Sequence, residues 1–256
     1  MFFSYVLMWI PAIIMNKTVG YENYFISPKY MLFAVYLMLT PSIANVLTRL
    51  ITKEGWKESF LHLHLQKNVR YYIFAVFFPP ACSLIGGALL SLFYGKLDFA
   101  AIFARYSPLF IIGASLTLIS MAVPLAFYCF GEEFGWRAYL YPKLEKLLGT
   151  PGAIIVGGII WGVWHAPLTV EGHNFGKGYW GFPWLGIVLM SLFCIAVGAV
   201  FMLITKRTGS IYPASIAHAV NNSANLMALF ANDYSEELTG VQTFIPVMLP
   251  VVIIGV

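Results

Sequence analysis

The chain has 256 residues, of which 60% are hydrophobic and only 10% are charged, and its formal net charge is +4. Soluble domains carry about 25% charged residues, so this composition excludes an ordinary soluble globular protein. Basic loops on the inner side of a membrane account for the positive net charge, so this charge does not indicate nucleic-acid binding. We therefore predict a single integral membrane domain over residues 1–256. It is expected to contact membrane lipid and to bind no nucleic acid.

The apolar stretches predict an all-α polytopic transmembrane bundle. A helix needs about 20 apolar residues to cross the bilayer core. Two apolar runs at the chain ends, 2–15 and 244–256, are short for a full crossing. The first has no basic region before it and no small-residue cleavage site after it, so we interpret it as a helix and not a secretory signal. With these two runs the bundle has about eight spans; the six full-length stretches are 30–50, 71–94, 109–130, 152–170, 180–205 and 211–230.

Basic residues predict the orientation of the bundle. If all eight segments cross, ten basic residues follow the even-numbered spans and five lie on the opposite side, which makes the first side cytoplasmic. We predict a multi-pass protein with its site facing the cytoplasm, in the plasma membrane if the source is bacterial. The ten are Arg49, Lys53, Lys57, Lys67, Arg70, Arg137, Lys143, Lys146, Lys206 and Arg207; the five are Lys17, Lys29, Lys96, Arg105 and Lys177.

A charged segment follows directly on the uncharged run 109–130. It contains Glu132, Glu133 and Arg137. If the helix continues, Glu133 and Arg137 are four residues apart and pair on one face. Glu132 is rotated by about 100° from Glu133 and is left without a partner, which favours it as a proton acceptor. The alternative is that these charges only mark the end of the helix at the membrane interface.

Two further spans carry polar groups that are costly at membrane depth. His165 follows a long run without ionisable side chains, in the same span as Gly158 and Gly162, whose spacing favours close approach of another helix. In the span 211–230, Ser215, His218, Asn222 and Asn225 recur at intervals of three and four residues and form one polar stripe. Such a stripe faces a partner helix or a wet cavity, so we predict an intramembrane polar cavity.

These residue types fit hydrolysis of a peptide bond, which needs an activated water, a base and donors to the oxyanion. In one arrangement His165, His218 and Glu132 bind zinc and leave a position open for water. In the other there is no metal, and Glu132 and His165 polarise the water while His218 and Asn222 hold the oxyanion. The sequence has no His-Glu-x-x-His motif, so it does not decide between these arrangements.

At these positions the chain resembles the CAAX protease and bacteriocin-processing family of intramembrane endopeptidases. The family motifs are Glu-Glu-x-x-x-Arg, an aromatic residue followed four positions later by His, and His-x-x-x-Asn. Trp161 stands where the family often has Phe, and the motif-bearing region is about 109–230. The matching residues are Glu132, Glu133, Arg137, Trp161, His165, His218 and Asn222.

The resemblance implies an eight-helix bundle and, in the eukaryotic branch, removal of the last three residues of prenylated CAAX proteins. It implies Glu132 as the water-activating base, His165 as its partner, and His218 and Asn222 as stabilisers of the tetrahedral intermediate. Glu133 and Arg137 are then a supporting pair. The expected substrate is a membrane-bound, possibly prenylated, protein or peptide.

Three points stay open from the sequence. A catalytically idle scaffold or a bacteriocin self-immunity protein keeps the same bundle without turnover. A transporter also has polar stripes, but usually in corresponding halves of the chain, and here they cluster in the second half. The connection 171–182, which contains His173, is interpreted as an ordinary outer interfacial loop, with a lid over the site as the alternative.

Overall fold

The protein is all-helical in a computed structural model that describes residues 1–24, 26–93, 104, 106–223 and 240–255. In these ranges the only strand-like feature is an isolated bridge between Leu61 and Ser210. The predicted fold class is therefore confirmed. The helices are α1 Phe2–Thr18, α2 Pro28–Thr52, α3 Leu65–Phe93, α4 Pro108–Gly135, α5 Tyr141–Trp164, the short α6 Ala166–Thr169, α7 Trp184–Thr208, α8 Tyr212–Ser223 and α9 Gly240–Gly255.

Four segments of the described chain are long and apolar enough to cross a membrane. They are Pro28–Thr52, Leu65–Phe93, Pro108–Trp164 and Trp184–Thr208. The third contains two of the predicted spans, since α4 continues into α5. The end segments α1 and α9 are helices of 17 and 16 residues. Of the predicted span 211–230, residues 224–230, with Asn225, lie outside the described residues, as do Lys96 and Arg105.

The predicted span 152–170 differs from the observed helix at both ends. Helix α5 begins at Tyr141 and is broken at Gly149, where φ is 71° and ψ is 174°. It ends at Trp164, and the short helix α6 follows with Pro167 in its first turn. Proline has no N–H for the helical ladder, which explains why the long helix stops before 170.

A π-helical turn, Trp136–Leu140, joins α4 to α5. Such turns interrupt the regular ladder, so nearby carbonyls need other donors. Asn45 Nδ2 donates to the Phe134 carbonyl at 2.7 Å, and Arg49 Nη2 donates to the Ala138 carbonyl at 3.0 Å. Arg49, assigned from the sequence to the basic side of the membrane, is a buried residue that ties α2 to this turn.

Small residues set the closest helix contacts. A Cβ atom on Gly158 would lie 2.5 Å from the Ile195 Cα, and one on Gly162 would lie 2.3 Å from the Ser191 Cα. This confirms the predicted close approach, and the partner helix is α7. A second contact was not predicted: a Cβ on Gly135 would lie 2.4 Å from Pro41 of α2.

Helix α1 packs against the end of α5. The Tyr5 hydroxyl donates to the Ile160 carbonyl at 2.6 Å, and the Trp9 indole N–H donates to the Trp164 carbonyl at 3.1 Å. Because carbonyls at a helix end lack intrahelical donors, Trp9 satisfies one of them. The chain's first helix therefore supports the segment that carries His165.

Candidate active site

The predicted catalytic residues line one cavity inside the bundle. Glu132 comes from the end of α4, His165 from the end of α5, and His218 and Asn222 from α8. The cavity has a volume of about 550 Å³. The structure thus brings together four polar residues that are separated by up to 90 positions in the sequence.

Glu132 is held by two tryptophans. Its Oε2 accepts a hydrogen bond from the Trp161 indole N–H at 2.8 Å and a longer one from Trp136 at 3.4 Å. The prediction that Glu132 has no partner is therefore wrong, because it considered only charged neighbours. Both of these hydrogen bonds go to Oε2, so this oxygen is fixed while Glu132 lines the cavity.

Glu133 pairs with Arg137, as predicted, at 3.1 Å. The same Oε1 lies 2.8 Å from His218 Nδ1, so Glu133 joins the two residues. Arg137 is buried beneath aromatic rings, with its guanidinium carbon 4.2 Å from the centre of the Trp161 ring. Among the described residues the pair thus hydrogen-bonds to His218, and its guanidinium packs on Trp161, the residue that donates to Glu132.

His165 is oriented by its own helix. Its Nδ1 lies 2.9 Å from the Trp161 carbonyl, one turn earlier. A carbonyl only accepts, so Nδ1 carries the proton and the neutral ring keeps an unprotonated Nε2. The side chain is 8% exposed and lines the cavity. Nε2 is therefore the atom of His165 that is available for proton transfer.

Asn222 is more loosely held than the other residues. It is exposed, and its Nδ2 lies 3.7 Å from the Cys129 Sγ, a weak contact. Cys129 is free and buried, as are Cys82 and Cys194. An amide with few protein partners keeps its donors available for a ligand.

His173 was assigned from the sequence to an ordinary loop, but it lines the same cavity. Its ring lies parallel to that of His165, with centres 6.5 Å apart, and its Nδ1 lies 2.5 Å from the Tyr21 hydroxyl. Burial lowers the pKa of His173 to about 4. No periodic pattern connects His173 with the other polar residues, so only the three-dimensional packing reveals it.

The zinc arrangement considered from the sequence does not fit this geometry. In the described part of the chain, no three His, Cys, Asp or Glu side chains are grouped closely enough to hold a metal ion. In addition, both indole N–H groups occupy Oε2 of Glu132. We therefore derive no step through a metal.

Comparison with known proteins connects this geometry to a family. A family model described as Type II CAAX prenyl endopeptidase Rce1-like matches residues 114–224, which include all seven motif residues. A curated relative, CAAX prenyl protease 2 of Methanococcus maripaludis, is 25% identical over 100 residues. That match covers 38% of this chain and 37% of the relative.

The match and the site coincide. The matched region begins within α4 and ends just after α8, so it contains every helix that contributes a motif residue. The candidate spans make the chain an integral membrane protein. The resemblance predicted from the motifs is confirmed: residues 114–224, which carry all of these motifs, match the Rce1-like family of type II CAAX prenyl endopeptidases.

Proposed function

We propose that this protein is an intramembrane endopeptidase that hydrolyses a peptide bond near the C-terminus of a membrane-bound protein or peptide, with prenylated CAAX sequences as the first substrates to test. The observation that carries the proposal is the meeting of Glu132, His165, His218 and Asn222 in one cavity. The match to the Rce1-like family over residues 114–224 supports the same reaction class.

In the proposed mechanism Glu132 is the general base. The indole N–H groups of Trp161 and Trp136 fix its Oε2, which leaves Oε1 to take a proton from water. His165 Nε2 accepts a hydrogen bond from the same water and aligns it for attack on the substrate carbonyl. Glu132 then returns the proton to the leaving amine, so the proton count balances over the cycle.

His218 and Asn222 supply the donors for the oxyanion. The carboxylate of Glu133 accepts a hydrogen bond from the His218 Nδ1–H, and a protonated His218 also carries an Nε2–H that donates to the oxyanion. The Asn222 amide is the second donor. A donor that is fixed before the reaction, as His218 is by Glu133, stabilises the developing negative charge more than the neutral carbonyl, which lowers the barrier.

The test is cleavage of a fluorogenic farnesylated CAAX peptide by purified protein in detergent. Glu132→Gln keeps the hydrogen bonds from the indoles but removes the base, so kcat/KM should fall by about 10²- to 10⁴-fold. Glu171→Gln, a carboxylate outside the cavity, is the matched control and should keep full activity. Thermal unfolding of each variant establishes that the fold is retained.

The outcomes separate the alternatives. Cleavage that Glu132→Gln abolishes supports both the base and the prenylated substrate class. Equal cleavage by wild type and Glu132→Gln refutes the mechanism. If wild type cleaves neither the farnesylated peptide nor the same peptide without its prenyl group, the peptidase proposal fails in favour of an idle scaffold or immunity protein.

A further inference from the structure

A second cavity, of about 830 Å³, lies between the first turns of α3 and the last turns of α7. It shares no lining residue with the candidate active site. Its floor is apolar and buried, with Val200, Met202 and Ile204 each less than 5% exposed. We call it the α3–α7 groove.

The rim of the α3–α7 groove is basic. Arg70, Lys206 and Arg207 line it, and all three side chains are exposed. Lys206 pairs with Glu145 at 2.5 Å. In the described part of the chain no carboxylate lies within ion-pair distance of Arg70 or Arg207, and the Arg70 guanidinium rests over the Tyr71 ring. Two guanidinium groups therefore remain without a negative partner among the described residues.

The two ends of the rim are fixed relative to each other. Asn68 Nδ2 donates to the Thr208 carbonyl at 3.2 Å, which ties the start of α3 to the end of α7. Arg70 lies two residues after Asn68, and Arg207 lies one residue before Thr208. The basic groups consequently belong to one edge of the bundle, at the rim of the apolar groove.

An apolar channel beneath unneutralised guanidinium groups matches one class of molecule. A phosphate diester accepts paired hydrogen bonds from arginine, and an acyl chain fills an apolar groove with van der Waals contacts. Basic pockets between membrane helices recognise anionic headgroups in this way. A choline headgroup brings a cation next to two arginines and is disfavoured.

We propose that the α3–α7 groove is a binding site for an anionic phospholipid, with the phosphate between Arg70 and Arg207 and one acyl chain along the floor. This proposal does not depend on the peptidase activity. It also goes beyond the matched family region, since Arg70 lies outside residues 114–224.

The test is native mass spectrometry of the delipidated full chain, titrated with phosphatidylglycerol or with phosphatidylcholine of the same acyl chains. Each basic residue near a membrane surface contributes about 1 kcal/mol to binding anionic lipid, so Arg70→Gln with Arg207→Gln should weaken phosphatidylglycerol binding by about 30-fold. The double change to lysine retains the charge but not the paired hydrogen bonds, so it should restore only part of the binding.

The control is Lys53→Gln with Lys57→Gln, which removes the same charge from exposed residues outside the groove and should leave binding unchanged. Equal retention of phosphatidylglycerol by wild type and the arginine double variant overturns the proposal, and so does equal binding of phosphatidylcholine. Competition by glycerol phosphate alone would assign the rim to a free phosphate. A lipid-independent dimer that the arginine changes dissociate would assign the groove to a second copy of the chain.

Discussion

At the scale of single residues, Trp161 has a role that an aromatic ring alone does not explain. The family motif often has Phe at this position, whereas the Trp161 indole N–H here donates to Glu132 at 2.8 Å. Trp161→Phe removes a hydrogen bond to a carboxylate, which is worth about 1.5–3 kcal/mol. We expect kcat to fall by about 10- to 100-fold with little change in KM, measured on the peptide that wild type cleaves.

Trp180→Phe is the matched control, because Trp180 is 87% exposed and lies outside the cavity. It should leave kcat unchanged. If Trp161→Phe also leaves kcat unchanged, Trp161 only fills space, and Trp136 alone suffices to hold Glu132.

The burial of His173 predicts that the folded protein is less stable at acid pH. Its pKa falls from an ordinary value of 6.5 to about 4 because the ring is buried. Between these pH values the unfolded chain binds a proton at His173 and the folded chain does not, so the free energy of unfolding decreases as pH falls through this window. The melting temperature in detergent should therefore drop between pH 7 and pH 4, and the drop should be smaller in His173→Gln.

The comparison is with His62→Gln, an exposed histidine outside the cavity. The melting temperature of this variant should decrease by the same amount as that of wild type over the same pH range. An equal loss in His173→Gln would show that His173 is not excluded from solvent in the folded protein.

At the scale of helices, the contact between α5 and α7 depends on Gly162. A Cβ there would lie 2.3 Å from the Ser191 Cα, and a backbone atom cannot move aside as a side chain can. Overpacking of this kind costs about 1–3 kcal/mol. Gly162→Ala should lower the melting temperature, and it should also lower kcat because His165 ends the same helix.

Gly113→Ala is a control within the membrane region. Gly113 lies in α4, and a Cβ there would have no neighbour within 4 Å. Its replacement should leave stability unchanged or increase it slightly, since alanine favours the helix. If both glycine variants lose the same stability, helix propensity and not the close contact determines the effect.

Whether a feature could be predicted depends on how far apart in the sequence its contacting residues lie. The helices and the pairing of Glu133 with Arg137 could be predicted, because both depend on neighbours within one or two turns. The links of Glu132 to Trp161 and of Glu133 to His218 join residues 29 and 85 positions apart. No local periodicity encodes such links, and the same holds for the π turn that Asn45 and Arg49 support.

At the scale of the whole molecule, ion pairs gather several basic residues at one edge. Lys143 pairs with Glu54, Lys146 with Glu58 and Lys206 with Glu145. These pairs join the connection after α2 to the start of α5 and the end of α7. Three of the residues that the charge count assigns to the cytoplasm are thus neighbours in space, as one membrane face requires.

This arrangement predicts the outcome of thiol labelling in intact cells. A cysteine introduced by Lys177→Cys should react with an impermeant maleimide from outside, and one introduced by Lys146→Cys should react only after permeabilisation. The native Cys82, Cys129 and Cys194 are buried, so background labelling should be low. The reverse labelling pattern would place the edge with Lys146 outside the cell.

The labelling result would also indicate from which side of the membrane substrate reaches the site. His173, from the loop that contains Lys177, and Glu132, just before the edge with Lys146, line one cavity. The cavity is therefore lined by segments that lead to both edges of the bundle, and this lining does not decide the side from which substrate enters. If Lys146→Cys reacts only after permeabilisation, Glu132 lies nearer the cytoplasmic face, where a substrate anchored to the inner leaflet presents its C-terminus. Labelling from outside would instead require a substrate anchored to the outer leaflet.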